Sequence, residues 1–190
     1  MTFEDIYKEV DKLQGWMPKP DCRELYDYVS QVENGLIVEI GSFMGRSTLT
    51  MALSSPTSKI ISIDPYLKVH HSIKETPKNV KRKCIKAMKG QNWKLRHAKS
   101  EVVGRTWNKL IDFLVIDGDH HVQVLEKDIE LFVPHVKKGG WVFFHDYNIA
   151  DFVEDNGGMV KSVVDKVKDT YFDELISNPT VHGWAICRKF

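Results

Sequence analysis

Apolar and polar positions along this chain fall into two alternating rhythms. Leu36 to Ile40, Ile60 to Ile63, Phe113 to Ile116 and Trp141 to Phe144 are short β-rich runs with almost no polar interruption. That is the pattern of strands covered on both faces, as in a parallel sheet. Between them lie stretches with apolar residues three or four positions apart. One begins near Arg46 or Ser47 and ends about Leu53, and a second covers roughly 77 to 89. A third places Val122, Leu125, Ile129 and Phe132 on one face, before Pro134 and a Gly139-Gly140 stop. Strands and helices in alternation predict an α/β domain.

The two ends extend the pattern. Phe3, Ile6, Val10 and Leu13 recur at helical spacing until Gly15-Trp16-Met17-Pro18-Lys19-Pro20 breaks it. Asp21 reads as an N-cap, with Glu24 three positions on, for a helix carrying Leu25, Tyr28 and Val29. Residues 1–35 are thus expected to be a helical lead-in or lid to one domain spanning 1–190. Near the other end, Gly157 to Thr170 reads as a helix with Val160, Val163, Val164 and Val167 inward. Phe172 to Ile176 and Gly183 to Arg188 are strand candidates that would pair antiparallel at a sheet edge.

Composition narrows the class. A chain of 190 residues with 42% hydrophobic content suffices for one well-buried domain. Cys22, Cys84 and Cys187 are too few and too scattered for a disulfide framework, which suits a reducing compartment. No run approaches the roughly 20 apolar residues of a membrane span, and Met-Thr-Phe-Glu-Asp lacks the regions of a signal peptide. A soluble, cytoplasmic protein is the expectation. The net charge of +1 conceals a division, because residues 74–99 carry ten Lys or Arg against Glu75 alone, and residues 111–156 carry ten acids against three Lys. The basic stretch reads first as a solvated helix face and second as a surface for an anionic acceptor; nucleic acid is not expected.

Chemistry gathers where the apolar runs end, which in open α/β sheets is where ligands sit. Val38 to Thr48 contains E-x-G-x-x-x-G, made by Glu39, Gly41 and Gly45. Gly41 permits a sharp turn, Gly45 lets the backbone approach a ligand, and Ser47 and Thr48 open a helix whose free N–H groups face that ligand. Asp64 ends the next apolar run, where a carboxylate can accept from both hydroxyls of a ribose; the plainer reading is a turn residue before Pro65. Asp117 and Asp146 end two further runs, and if those are adjacent strands about 4.8 Å apart, both carboxylates reach one ion. Oxygen donors select Mg²⁺, Ca²⁺ or Mn²⁺. Asp119 and His120 follow as candidate bases: extended backbone would point Asp119 to the same side as Asp117, and an imidazole has the pKa nearer neutrality. His70 and His71 are candidates to face an acceptor or solvent, and Trp16 to act as a lid or a core anchor.

These segments as a set resemble the class I S-adenosylmethionine-dependent methyltransferases. Glu39-Ile40-Gly41-Ser42-Phe43-Met44-Gly45-Arg46-Ser47-Thr48 resembles their first motif, Asp64 their ribose acid, and His97-Ala98-Lys99-Ser100 the loop along the adenine. Ile116-Asp117-Gly118-Asp119-His120-His121 and Gly139-Gly140-Trp141-Val142-Phe143-Phe144-His145-Asp146-Tyr147 are similar to the small-molecule O-methyltransferases of methyltransferase family 24, which act on sugar hydroxyls of macrolide and aminocoumarin antibiotics. The resemblance covers about residues 20–190. It departs at Phe43, a position often held by glycine, and at His145, where some sugar methyltransferases have an acid.

The resemblance implies a three-layer Rossmann-like fold with a seven-stranded, mostly parallel sheet and one antiparallel C-terminal strand. It implies S-adenosylmethionine held by Glu39, Gly41, Ser42, Gly45, Ser47, Asp64, Ser100 and Asp117. A divalent cation, Mg²⁺ first, would sit at Asp117 and Asp146, with Asp119 and His120 as catalytic groups. The partner would be a small hydroxyl acceptor, a sugar or an anionic molecule, with a homodimer left open. Two rival readings stand beside it: a metal-dependent hydrolase or hydroxylating enzyme using Asp117, His120 and Asp146, and a non-catalytic RNA- or ligand-binding module.

Overall fold

The apolar runs assemble into a single sheet. A computed structural model describes residues 1–67, 74–148, 159–178 and 183–190. Its strands are β1 (Leu36–Ile40), β2 (Lys59–Ile63), β3 (Trp93–Arg96), β4 (Ile111–Ile116), β5 (Val136–His145), β6 (Phe172–Asn178) and β7 (Trp184–Lys189), in the order β3-β2-β1-β4-β5-β7-β6. β1 to β5 pair in parallel, and β7 lies antiparallel to both β5 and β6. Among the described strands six therefore share one direction and β7 is reversed. The C-terminal pair forms as expected, although β7 lies inside the sheet and β6 holds the edge. β3 is the strand that no apolar run announces. At the other edge its residues alternate, with Trp93 and Leu95 half-buried and Lys94 and Arg96 exposed, as one covered face requires.

Among the described residues seven α-helices cover the two faces: α1 (Phe3–Val10), α2 (Lys19–Val29), α3 (Arg46–Ser54), α4 (Pro77–Ala87), α5 (Ser100–Gly104), α6 (Val122–Phe132) and α7 (Met159–Tyr171). Because strand side chains alternate, Ile37, Phe113, Val115 and Phe143 pack with α1 to α4, and Val38, Leu114, Val142 and Phe144 pack with α6 and α7. The lead-in helices thus share a core with the sheet. Truncating a fully buried phenylalanine such as Phe113 or Phe143 typically costs about 3–5 kcal/mol. Among the described residues no helix is long and apolar enough to cross a membrane.

Three local expectations are corrected. Asp21 does not cap a helix: α2 begins at Lys19 behind Pro18, with no side-chain cap, and Asp21 is fully buried in its first turn. Gly139 and Gly140 lie within β5, after a 3₁₀ turn at Val133–His135 has ended the helix. Ser100 opens the short α5, unmarked by any apolar period. His70, His71 and residues 157 and 158 of the expected last helix lie outside the described residues.

Candidate functional site

The strand order reverses between β1 and its neighbours β2 and β4, and that switch point opens the crevice that holds the site. Where β1 ends, the chain turns at Gly41 with φ 85°. A Cβ there would lie 2.2 Å from the carbonyl oxygen of Asp117. The β1 and β4 exits therefore touch backbone to backbone, and only glycine fits between them. Phe43 follows with φ 44°, an uncommon conformation for a bulky residue and a physical reason why glycine is often found there. Its ring packs on Trp16, with centroids 4.9 Å apart, at the mouth of the crevice.

Asp64, at the end of β2, holds this turn by accepting from the backbone N–H groups of Ser42 and Phe43, each at 3.0 Å, and from that of Tyr66 at 2.7 Å. It still lines the crevice, with Gly41, Ser42, Ser47, Ser100 and Asp117. Two of the candidate cofactor residues stand elsewhere. Gly45 caps α3 in the left-handed region and faces Cys84 and Ala87 of α4, so its missing side chain serves helix packing. Glu39 lies beneath the turn, fully buried. It accepts from Ser47 at 2.6 Å, Thr48 at 2.7 Å and Ser62 at 2.5 Å. Burial pushes its carboxyl up to about 7, against the lowering effect of those three hydroxyls.

The acidic end of the crevice is made by β4 and β5. These are adjacent, with Ile116 opposite Phe144, so Asp117 and Asp146 leave the sheet side by side. Donor atoms of Asp117, His120 and Asp146 all lie within 4.8 Å of one another. The backbone curls after Ile116, and this carries His120 into the cluster: its Nε2 lies 3.6 Å from Asp146 Oδ2. Asp119 lines the same crevice but is more exposed, accepting from the backbone N–H of His121 at 3.0 Å and pairing with the His121 ring. Partial burial opposes its ionisation, yet the bonds from His121 prevail and hold the carboxyl below its usual range.

His145, directly before Asp146, is buried with both ring nitrogens engaged. Nε2 meets Asp21 Oδ2 at 3.2 Å, and Nδ1 meets Asp117 Oδ1 at 3.1 Å and Asp146 Oδ1 at 3.3 Å. Burial would lower the pKa of this ring; the charge of Asp117 and the bonds to three carboxylates raise it well above the ordinary histidine value. Asp21 therefore acts as the far partner of a buried ion pair, which the capping reading missed. A signal was present, since Asp21 stands one turn before Leu25 on the buried stripe of α2. Asp128 was missed in the same way: it lies between Leu125 and Phe132 on the buried side of α6 and lines the crevice. One of its oxygens lacks a hydrogen bond, and burial pushes its carboxyl up to about 6.

Arg46, the first residue of α3, ties the N-terminal segment to this turn. Its guanidinium donates to the carbonyl oxygens of Met17 and Leu13 and to the Tyr7 hydroxyl, each at 2.7 Å, and pairs with Asp11 at 3.1 Å. Trp16, between the anchored Leu13 and Met17, lines the crevice, whose volume is about 1180 Å³.

Comparison with known proteins places this geometry. The chain is 30% identical, in an alignment of 167 residues covering 77% of it and 73% of the relative, to an uncharacterized protein of Acanthamoeba polyphaga mimivirus. The O-methyltransferase from Bacillus cereus in complex with SAH superposes with a TM-score of 0.65 at 13% identity, over 99% of this chain and 90% of that one. CalS11, a TDP-rhamnose 3′-O-methyltransferase of calicheamicin biosynthesis, superposes at 0.59 with 17% identity, over 98% and 92%. At these identities the two structures speak for the fold. Residues 38–147, from the centre of β1 to just beyond Asp146, match the family described as Methyltransferase domain. The chain belongs to this methyltransferase family, within the class I S-adenosylmethionine-dependent enzymes.

Proposed function

We propose that this methyltransferase transfers the methyl group of S-adenosylmethionine to a hydroxyl of a small acceptor, a sugar being one candidate, with help from a divalent cation at Asp117 and Asp146. One observation carries the reading: the turn held by Asp64 and the Asp117–Asp146 cluster open onto the same crevice of about 1180 Å³. That volume exceeds the roughly 300–1000 Å³ of an ordinary ligand pocket and leaves room for a nucleoside cofactor together with a small acceptor. The O-methyltransferases named above, one with SAH and one acting on TDP-rhamnose, support the same reading.

The residues fit both absent groups. Asp64, Ser42 and Ser100 line the wall on which a ribose and base would lie, and the unmet oxygen of Asp128 lies along it. Asp117 and Asp146 offer the oxygen donors that hard cations take. The cofactor supplies an already activated methyl group, and the cation supplies charge to offset that of an ionising hydroxyl. The chain itself orients the acceptor under Trp16 and Phe43 and keeps bulk water from the acidic end. It also takes up the hydroxyl proton at the 117–121 turn, where Asp119 and His120 are the available groups. Three free, buried cysteines suit the cytoplasm as its compartment. The exposed lysines of α4 would favour an anionic acceptor over a neutral one.

The test is methyl transfer from labelled S-adenosylmethionine to a panel of sugar and phenolic hydroxyl acceptors, before and after chelation. Turnover that chelator abolishes and a divalent salt restores is the expected result. Full activity after exhaustive chelation would remove the cation from the reading, and an Asp64→Ala variant with undiminished affinity for S-adenosylhomocysteine would remove the ribose assignment.

A further inference from the structure

This inference rests on the cation reading above and concerns which ion the site takes. Carboxylates alone would suit Mg²⁺. The cluster, however, brings an imidazole to the same point: donor atoms of Asp117, Asp146 and His120 lie within 4.8 Å of one another. Two observations single out His120 among the neighbouring histidines. Its Nε2 is shut off from solvent and has no hydrogen bond, since 3.6 Å to Asp146 is beyond that range. Buried ring nitrogens are normally satisfied, so an unmet one facing Asp146 within this cluster points to a further partner. His145, in contrast, has Nε2 committed to Asp21 and Nδ1 to Asp117, and His121 is paired with Asp119 at the surface.

We propose that His120 is a third protein ligand of the cation, and that this mixed nitrogen and oxygen set favours a first-row transition ion, of the Fe²⁺, Co²⁺ or Zn²⁺ kind, over Mg²⁺. Imidazole nitrogen is a softer donor that binds these ions far better than it binds Mg²⁺, which keeps oxygen ligands and water. The small size of the set, two carboxylates and one ring, leaves coordination positions for exogenous oxygen. An imidazole engaged in this way is not available to take a proton. The base role at the turn then passes to Asp119, which lines the same crevice.

The test uses the intact protein stripped of metal, titrated calorimetrically with CoCl₂ and with MgCl₂, and the Co²⁺ form observed by proton NMR. A ligating histidine contributes a hyperfine-shifted, solvent-exchangeable ring N–H signal. The expected results are tighter Co²⁺ than Mg²⁺ binding, one such signal, and its loss in His120→Ala. Co²⁺ affinity should fall in that variant by at least the roughly 10–100-fold that loss of an outer-shell partner costs, while Mg²⁺ affinity moves much less. His120 is half-exposed, so the variant should fold, and its thermal transition checks that it does. Co²⁺ binding without a shifted histidine signal, or a signal that survives in His120→Ala, overturns the inference and leaves the cation reading in place. Binding of neither ion overturns both.

Discussion

Glu39 is enclosed on every side, its two carboxyl oxygens accepting from Ser47, Thr48 and Ser62 in a layer otherwise built from Ile37, Phe113 and Val115. Its carboxyl is raised from 4.5 to about 7, so the folded state favours the protonated form. A raised pKa gives stability that is complete below the unfolded value and disappears as pH passes through the folded one. Stability should therefore decline between about pH 4.5 and 7 through this residue, by roughly 3 kcal/mol at about 1.4 kcal/mol per unit. Urea denaturation of Glu39→Gln across that range should show a flatter profile, and an unchanged slope would mean that the three hydroxyls keep Glu39 ionised. At Asp119 the expectation is kinetic. Asp119→Asn should lose about 10²–10⁴ in turnover with S-adenosylhomocysteine affinity nearly unchanged, and a mild effect would leave hydroxyl activation to the cation. Residue types at this scale were legible, but their partners were not. Asp64, Asp117 and Asp146 stand out as acids that follow apolar runs, and Glu39 as an acid inside one. That Glu39 faces hydroxyls beneath the turn, and that His120 and not Asp119 swings toward Asp146, depends on how the backbone curls after Ile116, which parity along an extended strand does not describe.

Elements were legible in proportion to how completely they are buried. β1, β2, β4 and β5 lie under helices on both faces and show as unbroken apolar runs; β3, an edge strand, shows only a four-residue alternation, and α5 is too short to show a period. The turn between β1 and α3 is where one element limits another. Gly41 and Gly90 share nearly the same φ, 85° and 86°, but a Cβ at Gly90 meets nothing within 4 Å, whereas at Gly41 it meets the Asp117 carbonyl. Gly90→Ala should cost only the left-handed backbone penalty of about 1–2 kcal/mol. Gly41→Ala adds a clash of two backbones, and should cost clearly more while abolishing S-adenosylhomocysteine binding. Equal losses of stability in the two variants would show that β1 and β4 can part at this point without consequence.

At the scale of the whole molecule, the N-terminal lead-in is joined to the chemistry by two devices that no local pattern reveals. Arg46 reaches back to Tyr7, Asp11, Leu13 and Met17, and Asp21 of α2 meets His145 across 124 positions of sequence. Both join elements through side chains that pair only after the sheet has formed, so neither spacing nor periodicity could have announced them. The lead-in thus lines the crevice through Gly15, Trp16 and Met17 and supports its acidic end through Asp21. Removing one member of a buried ion pair leaves the other charge without its partner, which typically costs about 3–5 kcal/mol. Asp21→Asn should destabilise the protein by less than that, because His145 keeps Asp117 and Asp146 as partners at Nδ1. Arg46→Ala should act differently, loosening residues 11–18 with a smaller global loss. Hydrogen exchange separates the two: in Arg46→Ala faster exchange is expected to stay local to that segment, whereas in Asp21→Asn it should spread to β4 and β5 as the whole unit opens more often. If exchange in Asp21→Asn quickened only within α2, the Asp21–His145 pair would be a local contact, and the N-terminal helices would not be energetically coupled to the acidic end of the crevice.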